Sequence, residues 1–375
     1  MKVKISDPVI VAMGPSYEEV GWGPWQFPSA GFSDDGRVMV GVHVEQDSAE
    51  TFGVDRLWFA SEDKGDSWYP VSAEEAACAY TKAPSGDRLR CCECPPEKEL
   101  EAAVAGVHMA FEQEGHGEYF MFDDLNPGYI DKKFKFYRVK AGESERKIEY
   151  NDIAYWPNQP ICRQKNGSGV MRPFLFGKLR VAPDGSLWHT HYMYGNNPET
   201  GEPTNTLTAY FFRSVDNGKS WKLISWLDPR DVDGAYVFCE IDIAWTKKGK
   251  AIALLRAKNI FIAESDDGGY TWNKPRRLLP DEDWIEGVDP AITVLNCGGA
   301  VASYGRPHFF ISTSTDPDSG KWDGYVDLCS ESCGYSDVVA ISDNEAIVAF
   351  VDFRHPVDGG TRKTLKVVRV TFTED

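Results

Sequence analysis

Five side chains, spread over more than 100 residues, have the types that glycosidic chemistry requires. Glu240 precedes Arg256 by 16 residues, Arg306 follows, and Tyr335 and Asp352 lie near the C-terminal end. Carboxyl groups move protons, and arginine forks bind carboxylates through paired hydrogen bonds. Further candidates are Gln26 in Gln26-Phe27-Pro28, an acidic loop containing Asp47 with Asp55 behind it, and His189, His191 and Tyr194 on one stretch. His189 and His191 share a strand face and have a plain alternative as channel-lining or core residues. No third ligand accompanies them, so neither a metal nor another cofactor is expected.

Such scattered residues need a scaffold that returns the chain repeatedly to one place, and the sequence contains one. Ser61-Glu62-Asp63-Lys64-Gly65-Asp66-Ser67-Trp68 recurs at Ser214 to Trp221 and again at Ser265 to Trp272. A degenerate copy with one extra residue runs from Ser314 to Trp322. Each copy follows an apolar, β-prone stretch such as Leu57-Trp58-Phe59-Ala60 or Ile260-Phe261-Ile262-Ala263. In this pattern Asp accepts from backbone N–H groups of its own turn, Gly supplies positive φ, and Trp packs back onto the hairpin. A repeated hairpin with a fixed aromatic predicts an all-β fold, a six-bladed β-propeller.

Pairing each copy with the hairpin before it divides residues 1–375 into one domain of six blades. Asp216, Asp267 and Asp316 lie 51 and 49 residues apart, a blade repeat, whereas Asp63 and Asp216 are separated by 153. We expect residues 76–172 to form one enlarged second blade, with Val104 to Phe122 as its inner hairpin and the remainder as inserted loops. The last blade lacks a fourth strand, and Lys4 to Met13 is expected to supply it, closing the ring and covering its edges.

Composition agrees and excludes several classes. The chain has 12 Trp, 34 Gly and 13% aromatic residues, suited to many short strands and tight turns. Its net charge of −18 argues against nucleic acid and anionic membrane partners. No apolar run reaches bilayer length, and the N-terminus lacks the features of a signal peptide, so a cytoplasmic location is expected. The nine cysteines, with Cys91, Cys92 and Cys94 crowded together, fit reduced thiols better than an ordered disulfide set. The oligomeric state is not encoded in any motif.

In an antiparallel blade the first strand starts, and the second ends, at the rim opposite these turns. The turns are therefore structural, and function is expected where Glu240, Arg256, Arg306, Tyr335 and Asp352 converge. Over nearly its whole length the chain resembles the sialidase (neuraminidase) superfamily, whose Asp box or BNR repeat the three turns match. That resemblance implies Tyr335 in Gly334-Tyr335-Ser336 as nucleophile, Glu240 as its activating base and Asp47 as acid/base. It implies Arg256 and Arg306 as carboxylate ligands and Asp352 as the brace of a further arginine. That arginine is absent: the family's Arg-Ile-Pro reads Gln26-Phe27-Pro28. Gln26 is expected to face the channel near the two remaining arginines, with the charge lost. The implied activity is a retaining, exo-acting glycoside hydrolase for an acidic or related glycan, with His191 and Tyr194 lining the substrate site. The alternatives are a lyase on uronic acid glycans, using a blade-three histidine and a tyrosine, and a non-catalytic glycan-binding propeller.

Overall fold

The computed structural model describes residues 1–46, 56–91, 100–113, 117–127, 133–153, 160–164, 170–171 and 178–374. The strands form a six-bladed β-propeller. Blade one consists of Gln26–Phe32, Val38–His43, Leu57–Ser61 and Tyr69–Val71. Blade four is Cys239–Trp245, Ala251–Arg256, Ile260–Ser265 and Arg276–Arg277, and blade five is Val288–Val294, Ala300–Gly305, Phe309–Ser314 and Val326–Cys329. In blade six, Ser332–Ala340, Glu345–Val357 and Gly360–Thr373 are completed by the N-terminus. Lys2–Ile5 pairs with Val370 to Thr373, and Val9–Met13 pairs with Thr364 to Val367. Val3 and Ile5 pack on the blade five–six core, and Val9 and Val11 on the blade six–one core, so the closing strand also seals two seams.

Between Asp63 and Asp216 the structure departs from the expected inner hairpin. The first two strands of blade two are Thr81–Lys82 and Arg88–Cys91, followed by Lys133–Val139 and Arg146–Ile153. Gly117–Met121, within the expected hairpin, instead belongs to a separate four-stranded sheet with Phe111–Gln113, Pro160–Gln164 and Val170–Met171. Blade three is Leu179–Val181, Leu187–Asn196, Pro203–Ser214 and Ser220–Leu227. It joins blade two through a short parallel pairing of Asp152 with Ser220 and Ile153 with Trp221.

The repeated turns hold as their chemistry requires. Asp63 Oδ1 accepts from the Asp66 and Ser67 amides, Oδ2 accepts from the Ser67 hydroxyl, and Ser61 Oγ accepts from the Gly65 amide. Asp216 and Asp267 make the same sets with Lys219 and Ser220, and with Tyr270 and Thr271. The Trp68 and Trp221 indoles donate back to the Gly65 and Gly218 carbonyls, whereas Trp272 reaches Ser225 of the preceding blade. In the degenerate copy the extra residue breaks the pattern: Ser314 Oγ donates to the Lys321 carbonyl, and Pro317–Ser319 forms a 3-10 turn. Apolar clusters fill the seams. Trp188, for example, is 1% exposed between blades three and four. Removing such a buried aromatic costs about 3–5 kcal/mol.

Candidate active site at the channel mouth

The innermost strands of blades one, four, five and six share an irregularity at one height, on the rim opposite the repeated turns. Their register with the second strand slips between Gln26 and Ser29, Cys239 and Ile241, Val288 and Ala291, and Ser332 and Ser336. Each slip contains a residue at positive φ: Phe27 at 51°, Glu240 at 45°, Asp289 at 36° and Gly334 at 81°. A bulge inserts unpaired residues and re-aims their side chains. Three of the four are not glycine, and non-glycine residues at positive φ are rare and concentrate at functional sites. The fourth must be glycine on steric grounds as well, because a Cβ on Gly334 would lie 2.8 Å from that of Val288.

These bulges bring together residues from distant parts of the chain. Glu240 is buried, and its Oε2 accepts from Arg256 Nη1 at 2.7 Å and from the Asp289 amide at 2.8 Å. The Asp289 carboxyl lies 3.6 Å from Lys178 Nζ. Burial pushes this carboxyl up to about 7; Lys178 pulls it down, while Glu240, Asp337 and Asp242 push with burial. Glu240, Asp289 and Lys178 line one cavity, together with Arg56 and Arg90 from blades one and two. Deeper in the channel Arg180 forms a bidentate pair with Asp242 at 2.9 and 2.7 Å and reaches Asp337 at 3.5 Å, tying blades three, four and six together.

Tyr335 stands beside this group. Its ring centroid is 4.3 Å from that of Phe27, and the Arg306 guanidinium lies 5.8 Å from its ring and 4.6 Å from that of Trp22. Burial and the charge of Glu240 hold the Tyr335 phenol well above its ordinary value, against the opposing pull of Arg256 and Arg306. Tyr192, in the same electrostatic neighbourhood, is raised for the same leading reason.

The other expected site residues fall as follows. Gln26 is fully buried rather than facing the channel: its amide donates to the Trp22 and Gly23 carbonyls, and Oε1 has no partner. The tight Trp22–Trp25 turn captures the amide, so Gln26 contacts neither Arg256 nor Arg306. Asp352 has a cation, supplied by Lys366 at 2.7 Å, with His355 Nδ1 bonded to the same ammonium at 3.0 Å. His189 and His191 are buried, and His189 packs edge-on against Phe136 and Trp221 at the blade two–three seam. Burial pushes His189 down to about 3, so it is a poor proton carrier for the lyase alternative. Tyr194 lies on the Leu187–Asn196 strand with its side chain outside the described residues, as are Asp47 and Asp55 entirely. Asp289, Arg56 and Arg90 were not singled out in sequence as members of this constellation, whereas Lys178 stands at an expected strand-one start of that rim. No group of three or more His, Cys, Asp or Glu side chains among the described residues could hold a metal ion.

No protein-family model matches the chain, and no curated protein matches its sequence. Solved structures do resemble it in fold. A protein of unknown function from Dyadobacter fermentans is 15% identical, with a TM-score of 0.63 and 99% of each chain covered. A Hadza microbial sialidase is 12% identical with a TM-score of 0.56, covering 92% of this chain and 65% of its own. The α-L-arabinofuranosidase of Fusarium graminearum, in complex with an iminosugar inhibitor, is 11% identical with a TM-score of 0.55 and 98% of each chain covered. At these identities the likeness establishes the fold: a six-bladed propeller of the kind that these glycoside hydrolases share.

Proposed function

We propose that the protein hydrolyses glycosidic bonds at the channel mouth, with Glu240 and Asp289 as the working carboxyl pair. One observation carries the proposal. Two bulges on neighbouring blades aim two carboxyl residues into one cavity, one salt-bridged to Arg256 and the other pushed by burial up to about 7, so that it exchanges its proton near neutrality. Glycosidases of the two-carboxylate kind need this division, an acid to protonate the leaving oxygen and an anion to meet the sugar.

Asp289 gives its proton to the glycosidic oxygen as the bond to the anomeric carbon breaks, and Glu240 Oε1 attacks that carbon to form a glycosyl ester. Asp289, now ionised, takes a proton from water, whose oxygen attacks the same carbon and releases Glu240. The implied Tyr335 nucleophile is less favoured, because burial and the charge of Glu240 hold the phenol protonated. Tyr335 instead fits a neutral hydrogen-bond donor beside the sugar. The likeness to propellers named as a sialidase and an arabinofuranosidase supports the hydrolase class.

Screening aryl glycosides and acidic oligosaccharides against wild type, Glu240→Gln and Tyr335→Phe tests this assignment. The pair is supported if Glu240→Gln abolishes turnover while Tyr335→Phe retains a measurable rate. Full turnover by Glu240→Gln would overturn it, and loss confined to Tyr335→Phe would restore the tyrosine nucleophile.

A further inference from the structure

Arg90 differs from the other cations near the cavity. Arg88 is bound to Asp34 and to the Tyr80 carbonyl, Arg180 to Asp242, and Arg56 to the Phe27 carbonyl and Ser29 Oγ. Arg90 has neither a carboxylate nor a hydrogen-bond acceptor among the described residues. Its guanidinium lies 5.5 Å from the Trp58 ring centroid and 5.7 Å from that of Tyr80, bridging blades one and two. In a chain with 58 acidic residues and a net charge of −18, an arginine left without an acid partner in a cavity is unexpected. Aromatic contacts fix the guanidinium and shield its faces, while its N–H edge keeps its hydrogen-bonding capacity.

We propose that Arg90 is the docking point for the carboxylate of a uronic-acid-type sugar, on the blade one–two side of the cavity. The proposal rests on the hydrolase reading for placing a sugar there, and it adds the substrate class. A planar carboxylate matches the guanidinium fork with two parallel bonds, and Arg56 and Lys178 in the same cavity add to the positive field. The carboxylate grip implied for Arg256 and Arg306 is thereby moved across the channel: Arg256 is engaged by Glu240, and Arg306 lies over Trp22. A sulfated sugar offers the same charge in tetrahedral form.

The test is calorimetric titration of wild type, Arg90→Met and Arg90→Lys with free galacturonate and glucuronate, with galactose and glucose, and with galactose 6-sulfate. Wild type is expected to bind a uronate at least about tenfold more tightly than its neutral counterpart, the scale of one charge-assisted contact. Arg90→Met is expected to lose that preference while retaining the wild-type circular dichroism spectrum. Arg90→Lys, which keeps the charge but not the fork, is expected to retain part of it. Equal binding of acid and neutral sugars, a preference surviving in both variants, or no uronate binding at about 10 mM would overturn the proposal. A stronger response to the sulfate ester than to either uronate would overturn the carboxylate assignment. These free sugars are not turned over, so binding judges Arg90 while turnover alone judges the hydrolase pair.

Discussion

The two rims of the propeller use the same residue types for opposite ends. At one rim Asp63, Asp216 and Asp267 are exposed, and each accepts from backbone amides and a hydroxyl of its own turn. The hydroxyl and amide donors pull Asp63 to about 2; Asp267 also lies at about 2, its turn's donors outweighing burial, which pushes the other way. At the other rim the Asp289 amide is given to Glu240, and burial pushes its carboxyl up to about 7. Regular turns satisfy their own carboxylates and build the frame. Bulged strands leave carboxyl groups facing a cavity, ready to exchange a proton. The difference lies in the backbone that presents the acid.

The sharpest way to break this comparison is to exchange charge for shape at each rim. Glu240→Gln is expected to lower kcat/KM by at least about 10³-fold on any glycoside the wild type cleaves, measured under steady-state conditions. Asp289→Asn is expected to cost about 10²–10⁴-fold and to abolish the alkaline limb of the pH profile. In the wild type that limb should fall as pH rises through about 7, because the acid loses its proton there. A profile flat from pH 5 to 9 would remove Asp289 from the acid role. Asp216→Ala should leave kcat/KM within twofold and lower stability by about 1 kcal/mol, as loss of a comparable side-chain cap does, read as a lower melting temperature.

The smallest effect concerns stability against pH, where the rims should pull in opposite directions. Asp63, Asp216 and Asp267 have lowered folded values, so their contribution is present above the unfolded value and lost as pH falls through the folded one, about 2 for Asp63 and Asp267. Asp289 has a raised folded value, so the stability linked to its proton is present below the unfolded value and lost as pH rises toward about 7. Melting scans of Asp289→Asn should therefore show a flatter dependence between pH 4 and 7, and those of Asp63→Asn a flatter one below pH 4. Unchanged profiles in both variants would show that the two environments do not differ as described.

The frame was the more legible rim. Its turns are local, and eight adjacent residues contain the donors that each turn's Asp accepts from, so a repeat in sequence is a repeat in space. The inner hairpin of blade two was misplaced although a local signal existed. Ala83-Pro84-Ser85-Gly86-Asp87 matches Ala182-Pro183-Asp184-Gly185-Ser186, and in both turns the glycine amide bonds three residues back. The two-residue strand Thr81–Lys82 was too short to draw notice beside the stronger pattern of Gly117–Met121. Asp289 has no comparable local signal, because it sits in a bulge just after Val288, where the first strand of blade five opens. Glu240 and Arg256 were found because they flank one hairpin. The contact of Arg90 with Trp58 and Tyr80 joins two blades and has no signature within either.

The closing strand also has a consequence for the order of events in making the protein. Lys2–Ile5 leaves the ribosome long before its partner strand, Gly360–Thr373. While the intervening blades are made that segment must wait unpaired, and contacts of such long sequence separation are the slowest to form. Lys2, Lys4, Asp7 and Pro8 punctuate the waiting segment, and charges and proline are the features that keep a lone strand from pairing with its copies. The ring is thus completed by a strand made long before its partner.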